Sequence, residues 1–187
     1  MDHYLDIRLR PDPEFPERQL MDALFSKMHR VLAEQQRTDV GVSFPGWKLK
    51  PQTLGDVLRL HASAVALESL MATAWLGGMQ QMVQLSDVSA VPPDARHRRL
   101  LRVQAKSSPE RLRRRLMRRK QLSPEEATAQ IPDSAAERLS LPFVEISSRS
   151  TGQRFRLFLK QGPEQTRSVS GDFNAYGISA TATVPWF

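Results

Sequence analysis

The hydrophobic and polar positions of residues 1–91 follow two periods. Alternation predicts strands over residues 4–10, 40–44, 56–62 and 83–88. Apolar residues on one arc predict a helix over residues 17–36, and a second helix begins at the Ser63 cap and runs to about residue 76. In the third strand, Arg59 and His61 are expected to face away from the core. The order β-α-β-β-α-β predicts an α+β fold with a ferredoxin-like (RRM-like) unit.

Residues 92–187 form the second predicted region, after a boundary at Val91-Pro92-Pro93. Capping residues predict a helix over 109–120, which follows Ser107 and Ser108. The same kind of capping pattern predicts a shorter helix from Ser123 to about residue 131. Strands over 141–147 and 154–160 flank a hairpin connection in which Gly152 can take a positive φ. One more short strand pair is predicted from an apolar set near the end of the chain: Phe173, Tyr176, Ile178 and Val184.

Charge changes this picture, because it is concentrated in one strip. The 187 residues carry 27 Lys and Arg and 20 Asp and Glu, a net charge of +7. Residues 96–120 hold 12 of the bases and one acid, Glu110, which makes the strip +11 and leaves the rest at −4. Such density favours a polyanionic partner. Because most of the bases are Arg, whose planar fork suits phosphates and guanine edges, nucleic acid is the leading candidate.

The basic helix carries a one-sided charge pattern. At the pitch of an α-helix its five outward arginines fall within about 140°, and Leu112 and Leu116 lie at the edge of that arc. A face of this kind suits a nucleic-acid groove. Arg102 and Gln104, two residues apart in a predicted extended linker, point the same way and suit guanine and adenine edges. The five arginines are Arg111, Arg114, Arg115, Arg118 and Arg119.

Several kinds of chemistry are excluded or disfavoured. The chain has no cysteine and four histidines, its acids are scattered, and it lacks a phosphate-binding glycine loop, so no metal site or cofactor is implied. Without a long apolar run or a signal pattern, a cytoplasmic protein is expected. Cleavage of RNA remains open, since the 2′-OH of RNA can attack the adjacent phosphate with the help of a proton acceptor.

Each candidate site residue also has a structural interpretation. His29 lies at the border of the apolar stripe of the first helix, where a histidine is often an edge residue. Ser148 and Ser150 are good turn formers in their own right. Phe155, between two arginines on a strand, is either a core residue or a base-stacking platform. Tyr176 is either a core residue or a phenol that reaches a site.

Two stretches closely resemble one family, the type I-F CRISPR precursor-crRNA endoribonucleases. The segment 102–119 resembles their arginine-rich helix, and the segment 141–158, with Ser148, Ser150-Thr151-Gly152-Gln153 and Phe155, resembles their C-terminal hairpin. Residues 41–45 and 176–187 fit as well. The resemblance implies metal-independent cleavage at the base of a repeat stem-loop, which gives 2′,3′-cyclic phosphate and 5′-OH ends. It also implies retention of the mature crRNA within a surveillance complex of other subunits.

The resemblance assigns roles to individual residues. His29 would transfer the proton of the attacking 2′-OH, Ser148 would hold that hydroxyl, and Tyr176 would position the histidine. The stem-loop would be bound by Arg102, Gln104, Arg114, Arg115, Arg118, Arg119, Ser150 and Phe155. The segment 179–183 departs from the family, whose members often carry glycines there. Two other hypotheses stay open: an RNA hairpin-binding protein without catalysis, and a DNA-binding regulator.

Overall fold

The computed structural model describes residues 1–104, 109–132, 139–147 and 152–187. Two compact units emerge, one formed by residues 1–102 with 141–187 and the other by residues 103–140. The predicted domain boundary near residue 91 stays a prediction. Both units together make a mixed fold of antiparallel sheets and, among the described residues, four α-helices. No described helix is both long and apolar enough to cross a membrane.

The main sheet of the larger unit is antiparallel. Its strands β1 (His3–Leu9), β2 (Gly41–Ser43), β5 (Val57–Ala62) and β6 (Val83–Leu85) lie in the order β2-β5-β1-β6, and β7 (Ser89–Ala90) pairs with the start of β1. A small hairpin, β3 (Lys48–Leu49) and β4 (Gln52–Thr53), lies between β2 and β5 in the chain. The predicted strand at 83–88 therefore ends earlier, at Leu85, and a separate short strand follows at residues 89–90.

Helices α1 (Glu17–Glu34) and α2 (Ala64–Met71) contribute to the same hydrophobic core as the sheet. The predicted stripe of α1 is confirmed, because its apolar positions are buried at helical spacing. The Ser63 hydroxyl accepts a hydrogen bond from the Ala66 N–H, as the predicted cap requires. However, α2 ends at Met71, five residues earlier than predicted. The buried positions of α1 are Leu20, Met21, Leu24, Phe25, Met28, Val31 and Leu32.

The second face of β5 is covered, which corrects the expectation for Arg59 and His61. Every residue of β5 is buried. The Arg59 guanidinium lies 4.6 Å from the centre of the Tyr4 ring and 4.1 Å from that of Phe187, and it is paired with Asp6. Alternation along the strand predicted the direction of these side chains but not the aromatic cover over them.

The rest of the larger unit contains two further antiparallel sheets. β10 (Phe143–Ser147), β11 (Arg154–Gln161) and β9 (Leu100–Val103) form a sheet in the order β10-β11-β9, and β12 (Val184–Trp186) pairs with β8 (Arg96–Arg98). The predicted hairpin strands are confirmed. Two expectations are wrong: Arg102 lies on a strand rather than in a linker, and Val184 pairs with β8 rather than with the segment 173–178.

The smaller unit contains α3 (Pro109–Lys120) and α4 (Pro124–Gln130). Ser123 and Glu126 form the predicted capping box. The Arg113 Nε donates to the Ile131 carbonyl at 2.7 Å, which joins the two helices. Ser107 and Ser108, the predicted cap of α3, lie outside the described residues.

Candidate active site

A five-residue loop, residues 174–178, closes on itself through Asn174. The Asn174 Oδ1 accepts hydrogen bonds from the N–H groups of Tyr176 (2.9 Å) and Ile178 (3.3 Å). Its own N–H donates to the Ile178 carbonyl, and its carbonyl accepts from Gly177. Gly177 has a φ of +68°, a left-handed conformation that glycine adopts without strain. The loop is therefore a defined turn.

His29, half-buried on α1, meets this loop across 146 residues of sequence. Its Nδ1 lies 2.9 Å from the Ala175 carbonyl oxygen, and its ring stacks on Tyr176 with centroids 4.0 Å apart and planes 9° from parallel. Because a carbonyl only accepts, Nδ1 must carry the proton in this bond. In the neutral ring the lone pair then lies on Nε2, which can accept a proton from a substrate.

The loop is also attached to the main sheet. The Val42 N–H of β2 donates to the Gly177 carbonyl at 3.1 Å. A Cβ on Gly177 would lie 2.5 Å from Val42 Cγ1, so this approach admits only glycine. The imidazole of His29 is thus held between a helix that belongs to the core and a turn fixed to a sheet edge.

Phe155 and Arg102 form a second pair. Phe155 is half-buried on β11 and packs against the main core, while Arg102 is exposed on β9. The Arg102 guanidinium carbon lies 5.9 Å from the centre of the Phe155 ring, at the limit of a cation–π contact. Both interpretations of Phe155 therefore remain, since its ring contributes to the core and is also partly exposed to solvent beside the Arg102 side chain.

The arginine face of α3 is exposed as predicted. Leu112, Arg113 and Leu116 are half-buried, whereas the other five arginines of the helix are exposed. Gln104 is exposed too. The exposed arginines of α3 are Arg111, Arg114, Arg115, Arg118 and Arg119.

The two serines assigned from the resemblance, Ser148 and Ser150, lie outside the described residues. The strands on either side are in place, since Ser147 pairs with Arg154, and Gly152 has the expected positive φ of +65°. The roles of both serines stay predictions.

A second histidine belongs to the core and not to this site. His61 is fully buried, and its Nε2 lies 2.8 Å from the Ser43 Oγ. Burial lowers the pKa of His61 to about 3, because the charged form loses its hydration and lies close to Arg59. The ring is therefore neutral near pH 7. No group of three or more His, Asp or Glu among the described residues could hold a metal ion.

Comparison with known proteins identifies the family. The family model described as "CRISPR-associated protein (Cas_Csy4)" matches residues 4–187. This chain belongs to the Csy4 family. It is 54% identical over all 187 residues to the "CRISPR-associated endonuclease Cas6/Csy4" of Pseudomonas aeruginosa (strain UCBPP-PA14), and 46% identical to the protein of the same name from Escherichia coli (strain UTI89 / UPEC). Each match covers the whole of both chains, and it confirms the resemblance stated above.

The groups that hold His29 were not predicted from the sequence of this member of the Csy4 family. Asn174 and the Ala175 carbonyl were not singled out, and Tyr176 was assigned to a strand. A signal was present: asparagine two residues before Tyr176 and glycine directly after it favour a side-chain-closed turn. That signal predicts the turn but not its partner, because the contact with α1 is formed only in the folded chain.

Proposed function

We propose that this Csy4-family protein is the endoribonuclease that processes CRISPR precursor RNA. It cuts at the base of the repeat stem-loop without a metal, leaves 2′,3′-cyclic phosphate and 5′-OH ends, and stays bound to the mature crRNA. The names of the two relatives support this proposal, since both relatives are CRISPR-associated endonucleases. Retention of the crRNA within a type I-F complex of other subunits, in the cytoplasm, is part of the same proposal.

The observation that carries the mechanism is the fixed orientation of His29. With Nδ1–H bound to the Ala175 carbonyl and the ring stacked on Tyr176, the Nε2 lone pair has a constant direction. In the proposed step, Nε2 takes the proton of the 2′-OH while the 2′-oxygen attacks the adjacent phosphorus. The bond from phosphorus to the 5′-oxygen breaks. That oxygen takes up a proton from water to become the 5′-OH, and the protonated His29 then releases its proton to water. Such proton transfer typically contributes about 10²–10⁴-fold in rate.

Substrate capture is assigned to separate groups. The exposed arginines of α3, above all Arg114, Arg115, Arg118 and Arg119, bind the phosphates and groove of the stem. Arg102 and Gln104 read base edges near its foot, and Phe155 stacks on the last base pair. Ser148 holds the attacking 2′-OH and its ribose, and Ser150 contributes to RNA binding.

The architecture in this proposal is a ferredoxin-like domain that supplies the histidine. The four strands of the main sheet are antiparallel and lie in the order β2-β5-β1-β6. Along the chain they alternate with the two helices as β1-α1-β2-β5-α2-β6, with the β3–β4 hairpin inserted between β2 and β5, and this pattern supports that assignment. Many unrelated activities use this fold, so the function rests on the site and the relatives and not on the architecture.

The test is cleavage of the repeat RNA in excess EDTA. We expect cutting to continue, with products that carry 2′,3′-cyclic phosphate and 5′-OH ends. An RNA with a single 2′-deoxynucleotide before the scissile phosphate should bind within about twofold of the normal RNA and remain uncut. Loss of cutting in EDTA, restored by a divalent ion, would contradict metal independence. Binding without any cutting would favour the hairpin-binding protein without catalysis.

A further inference from the structure

One peptide group links Asn174 to His29. The peptide between Ala175 and Tyr176 has two polar ends, the Ala175 carbonyl and the Tyr176 N–H. The carbonyl accepts from His29 Nδ1 at 2.9 Å, and the N–H donates to Asn174 Oδ1 at 2.9 Å. Because a peptide group is planar, its two ends turn together. A hydrogen bond at one end therefore restricts the direction of the other.

We propose that Asn174 is a positioning residue for the reaction: it holds this peptide so that the Ala175 carbonyl keeps the proton of His29 on Nδ1. The inference rests on the proposed function, in which His29 Nε2 takes the substrate proton. Asn174 itself touches neither the imidazole nor, in this assignment, the RNA.

Several features of the loop favour this role over a purely local one. Asn174 is exposed, so its side chain is not needed to fill the core. Its oxygen accepts from two N–H groups at once, and these flank the Gly177 turn. Hydrogen bonds arranged in series also polarise one another, so the bond to Asn174 strengthens the acceptor that faces His29. Without it, water can replace the acceptor but cannot fix the plane of the peptide.

The chain offers a matched control at Asp12. The Asp12 Oδ1 likewise accepts from two backbone N–H groups, of Glu14 at 2.8 Å and Phe15 at 3.0 Å. Asp12→Ala removes the same kind of turn contact from a segment outside the proposed machinery. Asn174→Asp keeps an acceptor oxygen at the tested position, whereas Asn174→Ala removes it.

The experiment measures single-turnover cleavage of the repeat RNA together with RNA affinity. Asn174→Ala should cut about threefold to tenfold more slowly, the range expected for one hydrogen bond, with affinity within about twofold of wild type. Asn174→Asp should recover most of the rate, and Asp12→Ala should cut normally. A wild-type rate for Asn174→Ala, an equal loss in Asp12→Ala, or no recovery in Asn174→Asp would overturn the inference.

A spectroscopic measurement reports the proposed cause directly. The ¹⁵N shifts of the His29 ring should show the Nδ1-protonated neutral tautomer in the wild type and a mixture in Asn174→Ala. An unchanged tautomer would contradict the inference. His29→Ala separates the two hypotheses: if it cuts normally, the proposed role of His29 as proton acceptor fails, and this inference fails with it. If it is inactive while Asn174→Ala cuts like wild type, only the inference fails.

Discussion

His29 and the loop of residues 174–178 form what we call the His29 corner. This corner and the arginine face of α3 have different physical requirements. At the corner, the imidazole ring of His29 is held by a carbonyl, a stacked tyrosine and a turn attached to the sheet. On α3, five arginines are exposed together, a cost in repulsion that a polyanion removes. Chemistry requires a single geometry, because small displacements of a reacting group cost large factors in rate. Capture by charge tolerates variation, because each phosphate contact adds a modest share.

The largest expected effect is a loss of cleavage rate without a loss of RNA affinity, which distinguishes the His29 corner from the arginine face. His29→Ala should slow cleavage at least about 100-fold, the lower range for loss of a general base, while affinity for the repeat RNA stays within about twofold. His3→Ala is the matched control, since His3 lies on β1 and contacts only Asp2 among charged groups in the described structure. Rapid cutting by His29→Ala in a quenched time course would remove the corner from the mechanism.

The next prediction tests whether the corner depends on its attachment to the sheet. Gly177→Ala places a Cβ 2.5 Å from Val42 Cγ1 and should lower the free energy of unfolding by about 1–3 kcal/mol, as overpacking does. It should also slow cleavage. Gly78→Ala is the control, because Gly78 has a similar φ of +79° but nothing within 4 Å of the added Cβ. Denaturant unfolding measures both variants, and equal losses would attribute the effect to backbone strain alone.

A substitution at Phe155 tests whether this core residue also binds the RNA. Phe155→Leu keeps apolar volume but removes the aromatic face, so affinity for the repeat RNA should fall about fivefold to 100-fold, the range for one lost base stack. Phe158→Leu is the control, since Phe158 lies three residues further along β11 and contacts Phe143. If both variants bind equally well and only stability changes, Phe155 is a core residue and no more.

The smallest effect is expected for a single arginine of α3. Arg115→Ala should weaken binding modestly and lower the slope of log affinity against log salt by about 0.7–0.9, the share of one phosphate. The exposed base Lys48, on the β3–β4 hairpin, provides the control Lys48→Ala. Titrations at several salt concentrations measure the slope, and an unchanged slope would remove Arg115 from the interface.

Local patterns predicted the parts of the molecule that local physics determines. The stripe of α1, the Ser63 cap, the Ser123 capping box and the arginine face all follow from spacing, and the structure confirms them. The 174–178 turn was missed because its hydrogen bonds leave no periodicity. The aromatic cover over Arg59 was missed because alternation indicates a direction and not what lies there. Long-range contacts of this kind require the folded chain.

The hydrogen bond from the Val42 N–H to the Gly177 carbonyl also covers part of the edge of the main sheet. β2 is the outermost strand of the main sheet, and an uncovered edge strand is a template for pairing with another chain. The turn that holds His29 occupies the outward N–H of Val42, and all three residues of β2 are buried. Detachment of this turn would therefore expose a strand edge, so inactivation and self-association would share one cause.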